Sequence, residues 1–234
     1  MNKFKTIIII CLFISILSIS KVYANVFNYT LLGKTIYIDP GHGGIDSGTT
    51  YKNIYEKDIN LIMSKKIEKY LISKGATVYL TRETDKDLSK SKVNRKRNDL
   101  TNRAKLINNS NANLYISIHL NYISNSKWQG LQIFYNNKNK ENEIIANNLT
   151  SYLKEYTSNI REPKKENIYY MYKQIKIPGV LIELGFLSNP NDRYRLTRDE
   201  YQEKLAKNIA SSIERYFQQK DWKVFFFIIN RAII

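Results

Sequence analysis

Thiols, imidazoles and long apolar runs are all scarce in this 234-residue chain, which has one cysteine and two histidines. The cysteine, Cys11, lies in an apolar stretch near the N-terminus without the small-residue pattern of lipoprotein cleavage. A mature chain lacking that stretch has no thiol, which excludes thiol catalysis, zinc thiolates and disulfides. The longest apolar run, Ile7 to Ile19, falls short of the roughly twenty residues that span a bilayer comfortably. No glycine-rich turn ends in the GK[ST] of a P-loop or has dinucleotide-fingerprint spacing, so nucleotide binding is excluded. Ser47, Ser117 and Ser188 lie near the motifs described below, but none sits in G-x-S-x-G, and a serine hydrolase would have to share both histidines with another duty. No internal repeat is present. Acidic residues number 21 against 37 lysines and arginines, giving a formal charge of +16.

The N-terminus reads as an export signal over residues 1–24. Lys3 and Lys5 form a basic start, Ile7 to Ile19 the apolar stretch, and Val22-Tyr23-Ala24 the small residues for cleavage before Asn25. An uncleaved membrane anchor is the alternative, and this segment is the chain's one expected membrane contact. What remains, about 210 residues, suffices for one domain with a full core. An exported protein this basic meets acidic wall glycans and phosphate-bearing polymers rather than nucleic acid. The densest basic segment, KSKVNRKRN over residues 90–98, reads as a solvated loop running into a helix in preference to a dedicated binding patch.

Strand patterns rich in β-branched and aromatic residues fall at Thr35 to Asp39, Thr77 to Thr81, Leu114 to His119, Leu131 to Tyr135 and Val180 to Leu184. Helical spacing relates Ile59, Ile62, Met63, Ile67, Tyr70 and Leu71, a segment that Gly75 ends. It also relates Leu100, Ala104 and Ile107; Ile144, Ile145, Leu149, Tyr152, Leu153 and Tyr156; and Tyr201, Leu205, Ile209, Ile213, Tyr216 and Phe217. Strands alternating with helices predict a single three-layer α/β domain, its twisted, mostly parallel sheet of about five or six strands flanked by helices on both faces. Residues 168–172, IYYMY, fit either another strand or an aromatic wall beside a site. The domain is expected to finish near Phe217, leaving residues 218–234 as an apolar tail of unknown role, packed on the domain or disordered.

Both histidines stand at the carboxyl end of a strand pattern, His42 in TIYIDPGHGG and His119 in LYISIHLN, and a third such run, VLIELGFLSNP, presents Glu183. Ligands gather at strand carboxyl ends in open α/β sheets, and imidazole is the commonest zinc ligand. Two histidines and one carboxylate complete a hydrolytic zinc site with a fourth position open for water, whose pKa falls to about 7. Spacing alone leaves that carboxylate open among Asp39, Asp46, Glu56 and Asp58. Glu56 and Asp58 have structural alternatives at the start of a helix, where carboxylates help the first-turn amides. Glu183 suits a general base, because partial burial raises its pKa toward the working range and a carboxylate can return the proton to a leaving nitrogen.

The motifs IDPGHGG, EKDINL, SIHLN and IELGFLSNP, in this order from about Lys34 to Phe217, resemble the zinc-dependent N-acetylmuramoyl-L-alanine amidases of the amidase 3 type. The stretches DLTNRAKLINNSNANLYISIHLN and SKWQGLQIFY are similar to the CwlD-type germination-specific, spore-cortex branch. The resemblance implies His42, Glu56 and His119 as ligands of one zinc ion and Glu183 as the catalytic glutamate. It implies an exported hydrolase of cell wall or developing cortex, cutting the amide between the lactyl group of muramic acid and L-alanine in peptidoglycan. In the cortex this prepares muramic-δ-lactam for germination, with a peptidoglycan deacetylase as functional partner. The rivals are a noncatalytic peptidoglycan-binding protein on the same fold and a zinc peptidase cutting within the stem peptide. The tail beyond Phe217 departs from the family pattern, no wall-binding repeat is appended, and the oligomeric state is not legible. Asn121, after the second histidine, is expected to orient its loop.

Overall fold

The computed structural model describes residues 29–232; the signal reading over residues 1–24 and Cys11 lie outside them. Strands β1 (Thr35–Pro40), β4 (Thr77–Leu80), β5 (Leu114–Asn121), β6 (Gln132–Tyr135), β7 (Lys164–Lys165) and β8 (Gly179–Phe186) form one sheet in the order β4-β1-β5-β8-β6-β7. Every pairing is parallel except β6 against β8. A separate two-stranded ribbon joins β2 (Thr50–Tyr51) to β3 (Ile54–Tyr55). The helices are α1 (Glu56–Ser73), α2 (Arg95–Asn108), α3 (Lys140–Tyr156), α4 (Pro190–Leu196) and α5 (Asp199–Ala232). The expected three-layer α/β architecture is thus present.

Alternation along the strands sorts side chains by face. Ile36, Ile38, Ile116, Ile118, Val180 and Ile182 point to one side, where α1, α3 and α5 bury them with Met63, Ile67, Leu149, Ile209 and Ile213. Each such aliphatic side chain contributes about 1.5–3 kcal/mol on burial. Tyr37, Tyr115 and Leu181 point to the other side, beneath Ala104 and Ile107 of α2 and the 3₁₀ turn Met171–Lys173. Three residues assigned to buried helix faces are instead exposed, Ile62, Ile144 and Tyr156. Ile62 and Ile144 each precede a buried residue, Met63 and Ile145, by one position, about 100° round the helix, and Tyr156 is the last residue of α3, so all three fall outside the buried stripe.

Residues 168–172 form no strand; they lead into the 3₁₀ turn and set an aromatic wall beside the cleft. Helix α4 begins where Asn189 accepts bonds from the amides of Asn191 and Asp192, with Pro190 at the first position. Asp58, by contrast, is exposed and caps nothing on α1, whose start carries no side-chain cap. Helix α5 does not stop near Phe217 but runs on to Ala232. Among its described side chains Tyr216 and Phe217 are the last in the core, and Trp222, Phe225, Phe226 and Phe227 are exposed. From Asp199 onward the chain has no proline or glycine to break the helix. Among the described residues no helix is long and apolar enough to cross a membrane.

Candidate active site

The parallel register of β1, β5 and β8 brings three distant parts of the chain to one edge of the sheet. His42 follows β1, His119 lies in β5, and Glu183 stands directly opposite His119 on β8. Helix α1 then delivers Glu56 from its first turn. Glu56 Oε1 lies 3.2 Å from His42 Nε2 and 3.0 Å from His119 Nδ1, and the three ligating atoms all fall within 4.8 Å of one another. A tetrahedral ion with bonds near 2.1 Å separates its ligands by about 3.4 Å, so this cluster is of the right size to hold one. Nitrogen, nitrogen and oxygen donors suit zinc.

The backbone leaves room for these groups only because glycine lies beside them. A Cβ on Gly41 would meet the His119 ring at 2.2 Å, and one on Gly48 would meet both Glu56 Oε2 and His42 Cδ2 at 2.6 Å. His42 itself is left-handed, with φ 62°, a conformation that costs on the order of 1 kcal/mol outside glycine. Two fully buried arginines hold that turn. Arg103 donates to the carbonyls of His42 (2.6 Å) and Pro40 (2.7 Å), and Arg82 to those of Pro40 and Gly41 (both 3.0 Å).

Of the four carboxylates that spacing left open, only Glu56 joins the histidines. Asp39 is buried against Arg103 Nη1 at 2.8 Å and accepts from Thr81 and Ser117. Burial alone would raise its pKa, but the Arg103 charge and these bonds hold it below the ordinary carboxylate value. Asp46 Oδ2 takes the Nδ1 side of His42 at 2.9 Å, which leaves Nε2 turned toward Glu56. Glu56 does not serve the first-turn amides; its oxygens accept from the backbone of Thr49 (2.8 Å) and Leu120 (3.0 Å). Burial pushes the Glu56 carboxyl up, but bonds to His119 and His42 outweigh it and keep the group ionised. Burial likewise lowers His42, while the Asp46 and Glu56 carboxylates raise it to about 9.

Glu183 has the opposite environment. It is buried, its Oε2 has no hydrogen-bond partner, and its pKa is pushed well up by burial and then by the Glu56 charge. It faces a cleft of about 480 Å³ that also reaches His42, Glu56 and His119 and the wall of Tyr169, Tyr170 and Tyr172. Tyr169 is raised to about 12 by burial and by Glu183. The basic segment supplies Lys96 to the cleft rim, while Arg95 pairs with Asp87 and Arg97 lies over the Tyr170 ring. None of the three serines is poised for attack: Ser117 donates to Asp39, Ser47 to the Gly48 carbonyl, and Ser188 accepts from the Ile123 amide. Asn121 accepts from the Tyr122 amide through its side chain and from the Leu187 amide through its carbonyl, a loop-fixing arrangement. Sequence reading did not single out Arg82 or Arg103, because an isolated arginine in a polar stretch carries no periodic signal.

The pattern of the family described as N-acetylmuramoyl-L-alanine amidase, amidase 3, matches residues 36–215. The chain is 45% identical over 195 residues to the germination-specific N-acetylmuramoyl-L-alanine amidase of Bacillus subtilis, covering 81% of this chain and 82% of that protein. It is 34% identical to a probable cell wall amidase of Staphylococcus aureus, LytH, covering 80% of this chain and 60% of that protein. The structure of the CwlD amidase from Clostridioides difficile, solved in complex with the GerS lipoprotein, superposes with a TM-score of 0.74 at 40% identity, covering 80% of this chain and 99% of that one. That pattern covers the sheet from Ile36 onward together with His42, Glu56, His119 and Glu183, and the chain belongs to the N-acetylmuramoyl-L-alanine amidases.

Proposed function

We propose that this amidase is an exported, single-zinc enzyme of the spore cortex whose general base is Glu183. The observation that carries the reading is a pair of opposites in one cleft: the Glu56 carboxylate, kept ionised between two imidazoles, and the buried Glu183 carboxyl, whose Oε2 has no hydrogen-bond partner. His42 Nε2, His119 Nδ1 and Glu56 Oε1 would hold the ion. Asp46 accepts the Nδ1 proton of His42 and so fixes the tautomer that offers Nε2. The zinc, when bound, polarises the amide carbonyl and acidifies a water. Glu183, raised by burial, takes the proton of the attacking water at Oε2 and returns it to the departing L-alanine nitrogen. Tyr169 and Tyr172 wall the cleft and keep bulk water from this exchange.

The substrate on this reading is the lactyl amide of muramic acid in peptidoglycan. The products are a free lactyl carboxylate and a stem peptide with a new L-alanine amino terminus. The likeness to the germination-specific relative supports a place before muramic-δ-lactam formation, with a peptidoglycan deacetylase acting afterwards. The GerS lipoprotein bound to the C. difficile relative supports a lipoprotein partner for this chain as well. A glycan binder without chemistry would have no use for the buried, unpartnered Glu183 oxygen.

The test is metal analysis beside a cortex digest. The wild-type chain is expected to hold one zinc and release free L-alanine amino termini. Glu183→Gln should keep the zinc and lose activity by about 10²–10⁴. A fully active Glu183→Gln enzyme overturns the assignment of the base.

A further inference from the structure

The segment SKWQGLQIFY contributes its end to β6, but its tryptophan belongs to no element of the catalytic cleft. Trp128 lies in the loop 122–130, all of whose residues from 122 to 129 are exposed, and it is itself 44% exposed. That loop is nevertheless fixed: the Ile123 amide donates to Ser188 Oγ, Asn189 Nδ2 to the Ser126 carbonyl (2.7 Å), the Trp128 amide to the Asn125 carbonyl, and the Gly130 amide to Asp192 (2.8 Å). Arg161 backs the indole with its guanidinium 4.4 Å from the ring centroid, and the same group lies 5.6 Å from the Phe186 ring. The result is a preformed aromatic platform with a cation along one side.

Its position follows from register. β6 runs antiparallel to β8, so the start of β6 lies at the carboxyl end of β8, and Gln132 stands opposite Glu183. Gln132 lies one strand spacing, about 4.8 Å, from Glu183, and Trp128 precedes it by four residues, at most about 14 Å of chain further on. Arg161 is held at the same edge, where its amide donates to the Leu131 carbonyl at 2.8 Å. The platform therefore sits on the catalytic edge of the sheet, beside Glu183 and on the side away from the metal-binding trio.

We infer that Trp128 and Arg161 form a glycan subsite, which stacks a sugar ring adjacent to the muramoyl residue whose amide is cut; the inference rests on the amidase reading above. The muramoyl residue is an internal unit of a strand, so sugars flank it on both sides, and the edge beside Glu183 offers one of them a path onto this platform. A pyranose presents a flat face of polarised C–H bonds that matches the negative face of an indole, and hydroxyl and acetamido oxygens around its rim that accept from a guanidinium. A tryptophan held rigid before the ligand arrives loses little entropy on binding.

Trp128 and Trp222 are the chain's two tryptophans, so the full-length Trp222→Phe protein reports on Trp128 alone. Titration with glycan strands stripped of stem peptide, which offer no amide to cleave, is expected to give a saturable change in indole emission. In parallel, calorimetric binding of the same strands should weaken about tenfold in Trp128→Ala, less in Arg161→Ala, and be largely restored in Trp128→Tyr, each with the melting temperature retained. Unchanged emission, or Trp128→Ala binding glycan as well as wild type, overturns the subsite; a response to a protein partner but not to glycan would do so by assigning the surface elsewhere. Failure of wild-type enzyme to release L-alanine termini from intact cortex would instead overturn the amidase reading, and the glycan titration is independent of that result.

Discussion

The two faces of the central sheet are built from the same strands and hold opposite chemistry. Toward α1, α3 and α5 the side chains are aliphatic and dry: Ile36, Ile38, Ile116, Ile118, Val180 and Ile182. Toward α2 the same strands present Tyr37, Asp39, Tyr115, Ser117, His119 and Glu183. One face supplies cohesion that tolerates small changes in shape; the other is a connected set of charges and rings in which each group sets the state of its neighbour. Asp39, Arg103 and the His42 carbonyl form one such chain, running from the sheet to the turn that carries His42 without passing through the aliphatic core.

The sharpest way to break this contrast is Arg103→Leu, which strands Asp39 and Asp99 without their cation and frees the His42 turn. The expected loss is about 3–5 kcal/mol in denaturant unfolding, together with zinc uptake; a loss under about 1 kcal/mol would show that the clamp is dispensable. Acid tests the same network. Because Asp39 is held below its unfolded value, its contribution is fully present above the ordinary carboxylate range, near pH 4, and is lost as pH falls through the lower folded value. Unfolding curves of wild type and Asp39→Asn should therefore differ most at neutral pH and converge toward acid; parallel curves would refute the coupling.

A smaller effect is expected at Asp46→Asn, where only the orientation of His42 is disturbed. Equilibrium dialysis should find zinc held 10- to 100-fold more weakly, with unfolding little changed. Least of all is expected from Ile116→Val on the aliphatic face: about 1 kcal/mol of stability and no change in zinc affinity. A variant there that altered metal binding would show that the two faces are not independent.

The fold was legible because its strands carry β-branched residues in alternation and end in glycine or asparagine, and because α3 and the first half of α5 keep a clear helical period. His42, His119 and Glu183 announced themselves by standing at strand ends. The choice of Glu56 over Asp46 was not legible from spacing, since both lie within fifteen residues of His42 and only the path through the β2–β3 ribbon and into α1 decides which reaches Nε2. Arg82 and Arg103 were hidden because their partners are backbone carbonyls, which any sequence possesses. The end of α5 was misjudged for a related reason: its apolar period fades after Phe217, but fading removes a reason for burial without supplying one for stopping. The Asn189-Pro190 start of α4 could have been found from its capping residue alone.

The placement of His119 across from Glu183 ties activity to strand alignment. Side chains on neighbouring positions of β8 face opposite layers, so a slip by a single residue would turn Glu183 into the aliphatic layer and swing Ile182 or Leu184 into the cleft. That misaligned chain would carry a bare carboxylate among isoleucines and leucines, a burden heavy enough to prevent its accumulation. Assembly thus checks itself: a molecule stable enough to persist is one whose Glu183 already faces the cleft shared with His42, Glu56 and His119.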